Sequence, residues 1–551
     1  MSAEQLTLDE RGLLASDRSA RIPSSCPQSI RDILLGPLAE MPDREALVGR
    51  NGRYTYAQLD REVRRAAAVM WSLGVRPGER VAACLPNDVD IVIAFLATQR
   101  LGAIWVGINA PLAPPEKLYM LNDSGAMLLL ASPACHGDVM PRRAEAAALR
   151  HIVRVDPASA DCEWRKRLRE AGDAEPAGIG AIVADPFAPA AIAYTSGTTG
   201  LPKGAVHSQR NMLMPGVVFR VQRRYPEDAR QGSVLPMTIL NLFTLEVLPA
   251  LTDRRCLVCI DRIDAPGLAE WIEKERVGVL TAVPTVFHDL LHNPAVRPEQ
   301  LDSLVAPGAG GADVPPELMR QYKERHGRDM VIGYGMTEAP TVVCWSDGTT
   351  PTAPGLCGAP IAHLRIDIRD DDGKVLPDGE VGEICVSPAT SGELAGMYTP
   401  MLGYWNKPDA TRAALQDGVY HTGDMGFFAP DGNVYIKGRR NQMIIRGGAN
   451  VYPAEVERVL DSHPAVLCAA VLGVPDERLG ERVVAAVQLR PGASAMSEER
   501  RGEALRAHAL QQLARYKAPD EFRFVEAMPR NAMNKIIKAD LRYLFDSSGP
   551  D

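Results

Sequence analysis

Between Ala191 and Gly204 an apolar, strand-like run, Ala191-Ile192-Ala193, empties into Tyr194-Thr195-Ser196-Gly197-Thr198-Thr199-Gly200-Leu201-Pro202-Lys203-Gly204. This composition suits a loop that holds phosphate. Gly197, Gly200 and Gly204 let the backbone approach a ligand closely, and Thr195, Ser196, Thr198 and Thr199 offer hydroxyl and amide donors. Lys203 adds a point charge for phosphate oxygens. The spacing departs from the G-x-x-x-x-G-K-[ST] loop of common nucleoside triphosphatases, because Leu201 and Pro202 part Gly200 from the lysine and a glycine follows it. An ordinary ATPase or kinase is therefore disfavoured. A plain surface turn would account for the glycines and hydroxyls, but not for the Pro-Lys-Gly ending.

The first half of the chain alternates helical and strand patterns, as an α/β architecture does. From Ala57 to Leu73 the residues Leu59, Val63, Ala66, Ala67, Met70 and Leu73 recur at helical spacing, and Gly74 closes the run. A strand is expected over 80–85, a helix from Pro86-Asn87 to Arg100, and a buried strand over 101–108. Residues 171–189, rich in Ala, Gly and Pro, read as a surface connection into the phosphate loop. Beyond Gly438-Arg439 come a short apolar piece, a Gly447-Gly448 turn and a helix starting near Pro453 with Glu455 and Glu457 in its first turns. Strands over 466–474 and 483–489 and a helix over 499–513 complete a small α+β unit.

Composition bounds the function. With 46% hydrophobic and 24% charged residues in 551 positions, the chain is globular and long enough for about three to five structural units. No apolar run approaches the ~20 residues that span a bilayer, so no transmembrane segment is expected. Residues 1–21 carry charges throughout, which argues against a secretory signal and for a cytoplasmic location. The 10 cysteines form neither a disulfide framework nor paired metal clusters, and Cys256 and Cys259 read as two buried thiols. A net charge of −8 with dispersed basic residues gives no footprint for nucleic acid.

The loop resembles the nucleotide phosphate loop of the adenylate-forming superfamily, which includes acyl-CoA synthetases, peptide-synthetase adenylation domains and luciferases. Four more segments match that superfamily in the same order: Gly333-Tyr334-Gly335-Met336-Thr337-Glu338, His421-Thr422-Gly423-Asp424, Gly438-Arg439 through Gly447-Gly448, and Pro529-Arg530-Asn531 through Asn534-Lys535-Ile536. With Tyr54-Thr55-Tyr56 and 74–81, the likeness covers nearly the whole chain. It implies a large N-terminal α/β AMP-binding domain over 1–438, a hinge at 439–442 that includes Gln442, and a small mobile α+β domain over 443–551.

The resemblance also implies roles. Thr195, Ser196, Gly197, Thr198, Thr199 and Lys203 would take the phosphates of ATP, Glu338 would hold Mg2+, and Thr337 would contact the α-phosphate. Tyr334, with Gly335 and Met336 beside it, would lie against the adenine, and Gly310-Gly311-Ala312 would run along the purine. Asp424 and Arg439 would hold the ribose. Lys535 would be the catalytic amine of adenylation, its place in the motif favouring it over nearby Lys538, and Arg446-Gly447-Gly448 would admit the pantetheine arm of coenzyme A. Met237, Ile239, Leu240, Asn241 and Gly308 would line the acyl pocket. Alone, Glu338, Thr337 and Tyr334 would read as a loop carboxylate, a capping hydroxyl and a half-buried tyrosine, Asp424 and Arg439 as ion-pair members, and Gly447-Gly448 as a hairpin turn.

Three departures from the family pattern stand out. Asn441-Gln442 replaces a charged pair at the hinge, Thr238-Ile239 stands where many relatives carry a histidine or aromatic gate, and 387–400 is a long link that would cover the site or a partner surface. The apolar segments 237–247 and 281–287 lack the aspartate that amino-acid-activating relatives use. The expected activity is thus that of an acyl-CoA synthetase joining an apolar carboxylic acid to free coenzyme A with ATP and Mg2+. An enzyme retaining one half-reaction, or a non-catalytic nucleotide-binding scaffold, are the alternatives. The sequence leaves the acid and the oligomeric state open, a homodimer included.

Overall fold

The computed structural model describes residues 8–14, 22–183, 185–195, 201–222, 224–311, 314–346, 348, 353–447, 449–476, 478–492, 497–530 and 535–545. The chain divides into two compact units. The first comprises Met1–Ile366, Cys385–His421 and Gly432–Val434; the second comprises Asp367–Ile384, Thr422–Asp431 and Tyr435–Asp551. Four of the five crossings fall inside the strands Leu364–Arg369, Gly382–Pro388, Val419–Phe428 and Val434–Arg439, and the fifth, between Asp431 and Gly432, falls in the connection between the last two.

The first unit is α/β. One sheet has seven strands in the order Gly403–Tyr404, Lys203–Ser208, Pro189–Thr195, Ile104–Gly107, Arg80–Cys84, Leu128–Ala131 and His151–Arg154. The last five are mutually parallel, whereas Lys203–Ser208 runs antiparallel to Pro189–Thr195. A second sheet carries Ala306–Gly310, Val277–Ala282, Arg230–Ser233, Leu257–Cys259 and Glu45–Gly49 side by side and parallel, with Val331–Met336 parallel to Ala306–Gly310. Parallel strands need crossover helices, and the sequence supplies them. Helix Tyr56–Ser72 starts with a capping box in which Thr55 accepts from the Gln58 amide and the Gln58 side chain accepts from the Thr55 amide. Helix Val89–Arg100 is buried from Val89 to Gln99, and its Asp88 cap accepts from the Val89 amide at 2.8 Å. Phe95 of this helix stacks on Phe243 at 4.0 Å, and Trp105 meets both edge-on, which ties the segment after Met237 to the seven-stranded sheet.

The strand expected from 101 begins only at Ile104. Leu101 still bonds back to the Ala97 carbonyl, and Gly102 turns the chain at φ +63, so both residues end the helix. Residues 171–189 contain a short helix, Ala177–Gly180, held by buried Ile179. Cys256 and Cys259 are buried free thiols. The stretch 389–402 is built into the first unit. Tyr398 is fully buried against His363, Arg210 Nε donates to the Met397 carbonyl at 2.9 Å, and Asn211 Nδ2 donates to the Pro400 carbonyl at 2.9 Å.

In the second unit Val466–Asp476 and Gly480–Leu489 form one long antiparallel hairpin, flanked by Glu521–Val525 running parallel to Gly480–Leu489. Both strands outrun their expected bounds because the pairing continues to Asp476 opposite Gly480, where φ is +77. Helices Pro453–Asp461 and Glu498–Gln512 bury Val456, Leu460, Leu505 and Ala509 against this sheet. Among the described residues no helix is long and apolar enough to cross a membrane.

Candidate functional site

The phosphate-type loop joins two antiparallel strands, with Thr195 directly opposite Lys203. Ser196, Gly197, Thr198 and Thr199 lie outside the described residues. Gly204 has to be glycine, since a Cβ there would sit 2.5 Å from the Ile192 side chain. Tyr119 Oη donates to the Pro202 carbonyl at 2.8 Å, fixing the exit of the loop.

The motif 333–338 is the end of a strand and a tight turn. Met336 pairs with Ala339, so Thr337 and Glu338 form a two-residue connection between Val331–Met336 and Ala339–Ser346. Three contacts hold this turn. The Thr337 carbonyl is bonded by His207 Nε2 at 2.9 Å, the Glu338 carbonyl accepts from the Met401 amide at 2.7 Å, and the Glu338 carboxylate accepts from Tyr404 Oη at 2.9 Å. Complete burial pushes the His207 pKa down to about 3, so the ring is neutral, and a carbonyl acceptor requires the proton on Nε2. The Tyr404 ring in turn faces Lys203, whose Nζ lies 5.3 Å from the ring centroid. One cation and one carboxylate from segments 135 residues apart in the chain are thereby assembled at one place.

Gly310 lies opposite Gly333 on the neighbouring strand, and Gly311 turns the chain at φ +78. Gly310 and Gly311 therefore border the strand that carries Tyr334, Gly335 and Met336; Ala312 lies outside the described residues. Of the acyl-pocket candidates, Met237 and Leu240 belong to the buried core and Gly308 is buried in its strand, whereas Ile239 and Asn241 are half-buried. Asn87 fixes this segment: its side chain accepts from the Met237 amide at 2.9 Å and donates to the Leu235 carbonyl at 2.8 Å.

In the second unit Asp424 is buried and pairs with Arg439, Nε to Oδ1 at 2.6 Å, and Arg439 also donates to the Thr422 carbonyl. Gln442 ends an exposed turn, Arg440–Gln442. Arg446 lies opposite Ala449 in an antiparallel pair, and Gly447 has φ +57; Gly448 lies outside the described residues. The Arg446 guanidinium bonds Asp520 at 2.8 Å and the Tyr516 carbonyl at 2.9 Å, so it braces the unit. Lys535 is exposed and directly precedes Ile536, which bridges to Arg530; 531–534 lie outside the described residues.

His207, Met401 and Tyr404 were not among the sequence-derived candidates. A signal existed for the first: strand alternation puts Lys203, Ala205 and His207 on one face. Tyr404 carries no such mark, since it reaches Glu338 only because Gly403–Tyr404 pairs with Val206 and Ala205.

Residues 37–405 match the family described as AMP-binding enzyme, and residues 455–535 match the AMP-binding enzyme C-terminal domain. Similar proteins include feruloyl-CoA synthase of Amycolatopsis sp, 34% identical over 492 residues, covering 89% of this chain and 94% of that protein. Another is the long-chain-fatty-acid–CoA ligase FadD13 of Mycobacterium tuberculosis, 32% identical over 515 residues, covering 90% and 94%. Among solved structures, ATP-bound MatB from Rhodopseudomonas palustris superposes with TM-score 0.83 at 27% identity, covering 94% of this chain and 99% of its own. The o-succinylbenzoate CoA synthetase MenE from Bacillus subtilis, in complex with the acyl-adenylate intermediate OSB-AMP, gives 0.79 at 28%, covering 94% and 99%.

Proposed function

Since the chain belongs to the AMP-binding enzyme family and is an ATP-dependent, AMP-forming acid–thiol ligase, we propose that its substrate is an apolar carboxylic acid and that Lys203, Glu338, Asp424, Arg439 and Lys535 carry the first half-reaction. The observation that supports this reading most is the cluster in which Lys203 and the Glu338 carboxylate share Tyr404 beside the phosphate-type loop.

In that half-reaction a carboxylate oxygen of the acid bonds to the α-phosphorus of ATP while the bond to pyrophosphate breaks. Two anions are brought together, so positive charge and donors are needed on both sides. Lys203 and the loop hydroxyls take the leaving pyrophosphate, and Thr337 contacts the α-phosphate. The paired Asp424 and Arg439 fit a ribose, because an ionised carboxylate accepts from two hydroxyls. The Lys535 ammonium neutralises the acid carboxylate and the bridging oxygen as the bond changes hands. Mg2+ fits Glu338, whose hard carboxylate has only one oxygen in the Tyr404 bond. When bound, the ion supplies counter-charge to the phosphates.

In the second half-reaction the coenzyme A thiolate attacks the acyl carbonyl and AMP leaves. The hinge at 439–442 and the Gly447-Gly448 turn serve that step, the glycines leaving room for the pantetheine arm. The half-buried Ile239, in an apolar segment, supports an apolar acyl group.

A panel of aromatic, branched and linear carboxylic acids, assayed for both AMP release and CoA thioester, tests the proposal. Both products are expected with an apolar acid. Thioester formed from synthetic acyl-AMP, without any acid-dependent pyrophosphate exchange, would reduce the enzyme to one half-reaction.

A further inference from the structure

Lys203 and Glu338 have opposite charge and share one neighbour, yet among the described residues they make no ion pair with each other. Tyr404 stands between them: its ring faces the ammonium at 5.3 Å and its hydroxyl donates to Glu338 Oε1 at 2.9 Å. The geometry points to Tyr404 as the positioning residue that keeps these two charged groups apart and aimed, a role that rests on the reading of the site given above.

The two ends of a tyrosine suit the two tasks. The face of the ring carries negative quadrupole density and attracts an ammonium without neutralising it, so the Lys203 charge stays available to phosphate. The hydroxyl is a single donor at a fixed reach from its own backbone. By bonding one oxygen it removes rotational freedom from a side chain with three torsions and leaves the other oxygen oriented for a hard cation. A direct Lys203–Glu338 pair would instead cancel both charges before the nucleotide arrived.

Tyr404 is itself rigidly held. It is 7% exposed and packs with Ala205, Met401, Leu415 and Tyr420. Its amide donates to Thr411 Oγ1 at 2.9 Å, and the adjoining Trp405 amide donates to the Gly204 carbonyl at 2.8 Å. The same short segment, Tyr404 and Trp405, thus registers the residue after Lys203 and grips the side chain of Glu338. Met401, three residues earlier, holds the Glu338 backbone at 2.7 Å. Backbone and carboxylate are fixed by one segment.

Two substitutions separate the two tasks, with binding of α,β-methylene-ATP to the full chain followed by calorimetry across a Mg2+ series and in EDTA. Tyr404→Phe keeps the ring and loses the hydroxyl. Half-maximal enhancement should then need about tenfold more Mg2+, with affinity in EDTA unchanged. Tyr404→Leu also loses the ring, which frees Lys203 to pair with Glu338, and affinity in EDTA should fall about two- to fivefold. In a Glu338→Gln background Tyr404→Phe should shift nothing further. Thermal unfolding checks each variant, and if the Leu variant does not fold the Phe variant decides. A Mg2+-dependent wild type with an unmoved Phe variant overturns the assignment alone. A wild type indifferent to Mg2+ overturns the metal role of Glu338 and this assignment with it.

Discussion

His207 shows how much one buried side chain can determine. Its Nε2 is the only side-chain partner of the Thr337 carbonyl among the described residues, and Thr337 directly precedes Glu338. His207→Ala leaves that carbonyl without its donor and opens a void beside the turn. The expected loss is about 1–3 kcal/mol of stability, together with weaker nucleotide binding, read by denaturant unfolding and by calorimetry. His207→Gln retains a donor and should recover part of both. Equal losses in the two variants would mean that the ring acts through its volume alone. Lys535→Ala belongs to the same scale: removing the charge proposed to act on the reacting oxygens should slow acid-dependent pyrophosphate exchange by about 10²-fold or more. Thioester formation from supplied acyl-AMP should fall far less.

At the scale of elements, the turn 337–338 depends on how closely its two strands approach. A Cβ at Gly335 would lie 2.3 Å from the Thr341 carbonyl oxygen, a backbone atom that cannot move aside without opening the hairpin. Gly335→Ala should cost about 1–3 kcal/mol and displace Thr337 and Glu338, lowering both the melting temperature and adenylation. Gly137→Ala is the control: nothing lies within 4 Å of the added carbon, and the residue sits in helix Pro133–Val139, so stability should hold or rise. Identical melting shifts in the two variants would refute the steric account. The elements were also where the sequence was most readable. The helical spacing of Leu59 to Met70, the closing Gly74 and the glycine-rich loop are local signals, and local signals set where elements begin and end. The contacts at Glu338 are different, because they depend on which strands lie side by side. Tyr404 is 66 residues from Glu338, and no periodicity relates the two. The anchoring of the segment 387–400 is illegible in the sequence for the same reason. Its buried anchors, Tyr398 and the Met397 and Pro400 carbonyls, find partners on His363, Arg210 and Asn211, which only the folded chain brings near.

At the scale of the whole molecule, three fully buried titratable groups set a stability profile that no single site reveals. Burial pushes the pKa of Glu246 up to about 8, and the Ser233 hydroxyl nearby opposes the shift in part without satisfying either carboxyl oxygen. Burial pushes His207 and His363 down to about 3. The signs are opposite. Between the ordinary 4.5 and about 8 the folded chain keeps a proton on Glu246 that the unfolded chain has released, so stability falls as pH rises. Between about 3 and the ordinary 6.5 the unfolded chain binds a proton on each histidine that the folded chain refuses, so stability rises with pH. From these three groups, two protons against one contribute a rise up to pH ~6.5, and Glu246 contributes a fall toward pH ~8, at most about 1.4 kcal/mol per pH unit. Glu246→Gln keeps the shape of the protonated carboxyl and removes its titration. Denaturant unfolding at pH 6.5 and 8.5 should show a loss in the wild type that the variant lacks, the variant holding or gaining slightly as the unfolded histidines finish losing their protons. The same alkaline loss in both proteins would assign it elsewhere. Because Glu246 lies in the π-helical stretch Phe243–Val247, at the end of the segment that starts at Met237, its ionisation should also disturb the proposed acyl pocket. The KM for the carboxylic acid should therefore rise above pH ~8 in the wild type more than in Glu246→Gln, with the KM for ATP moving less.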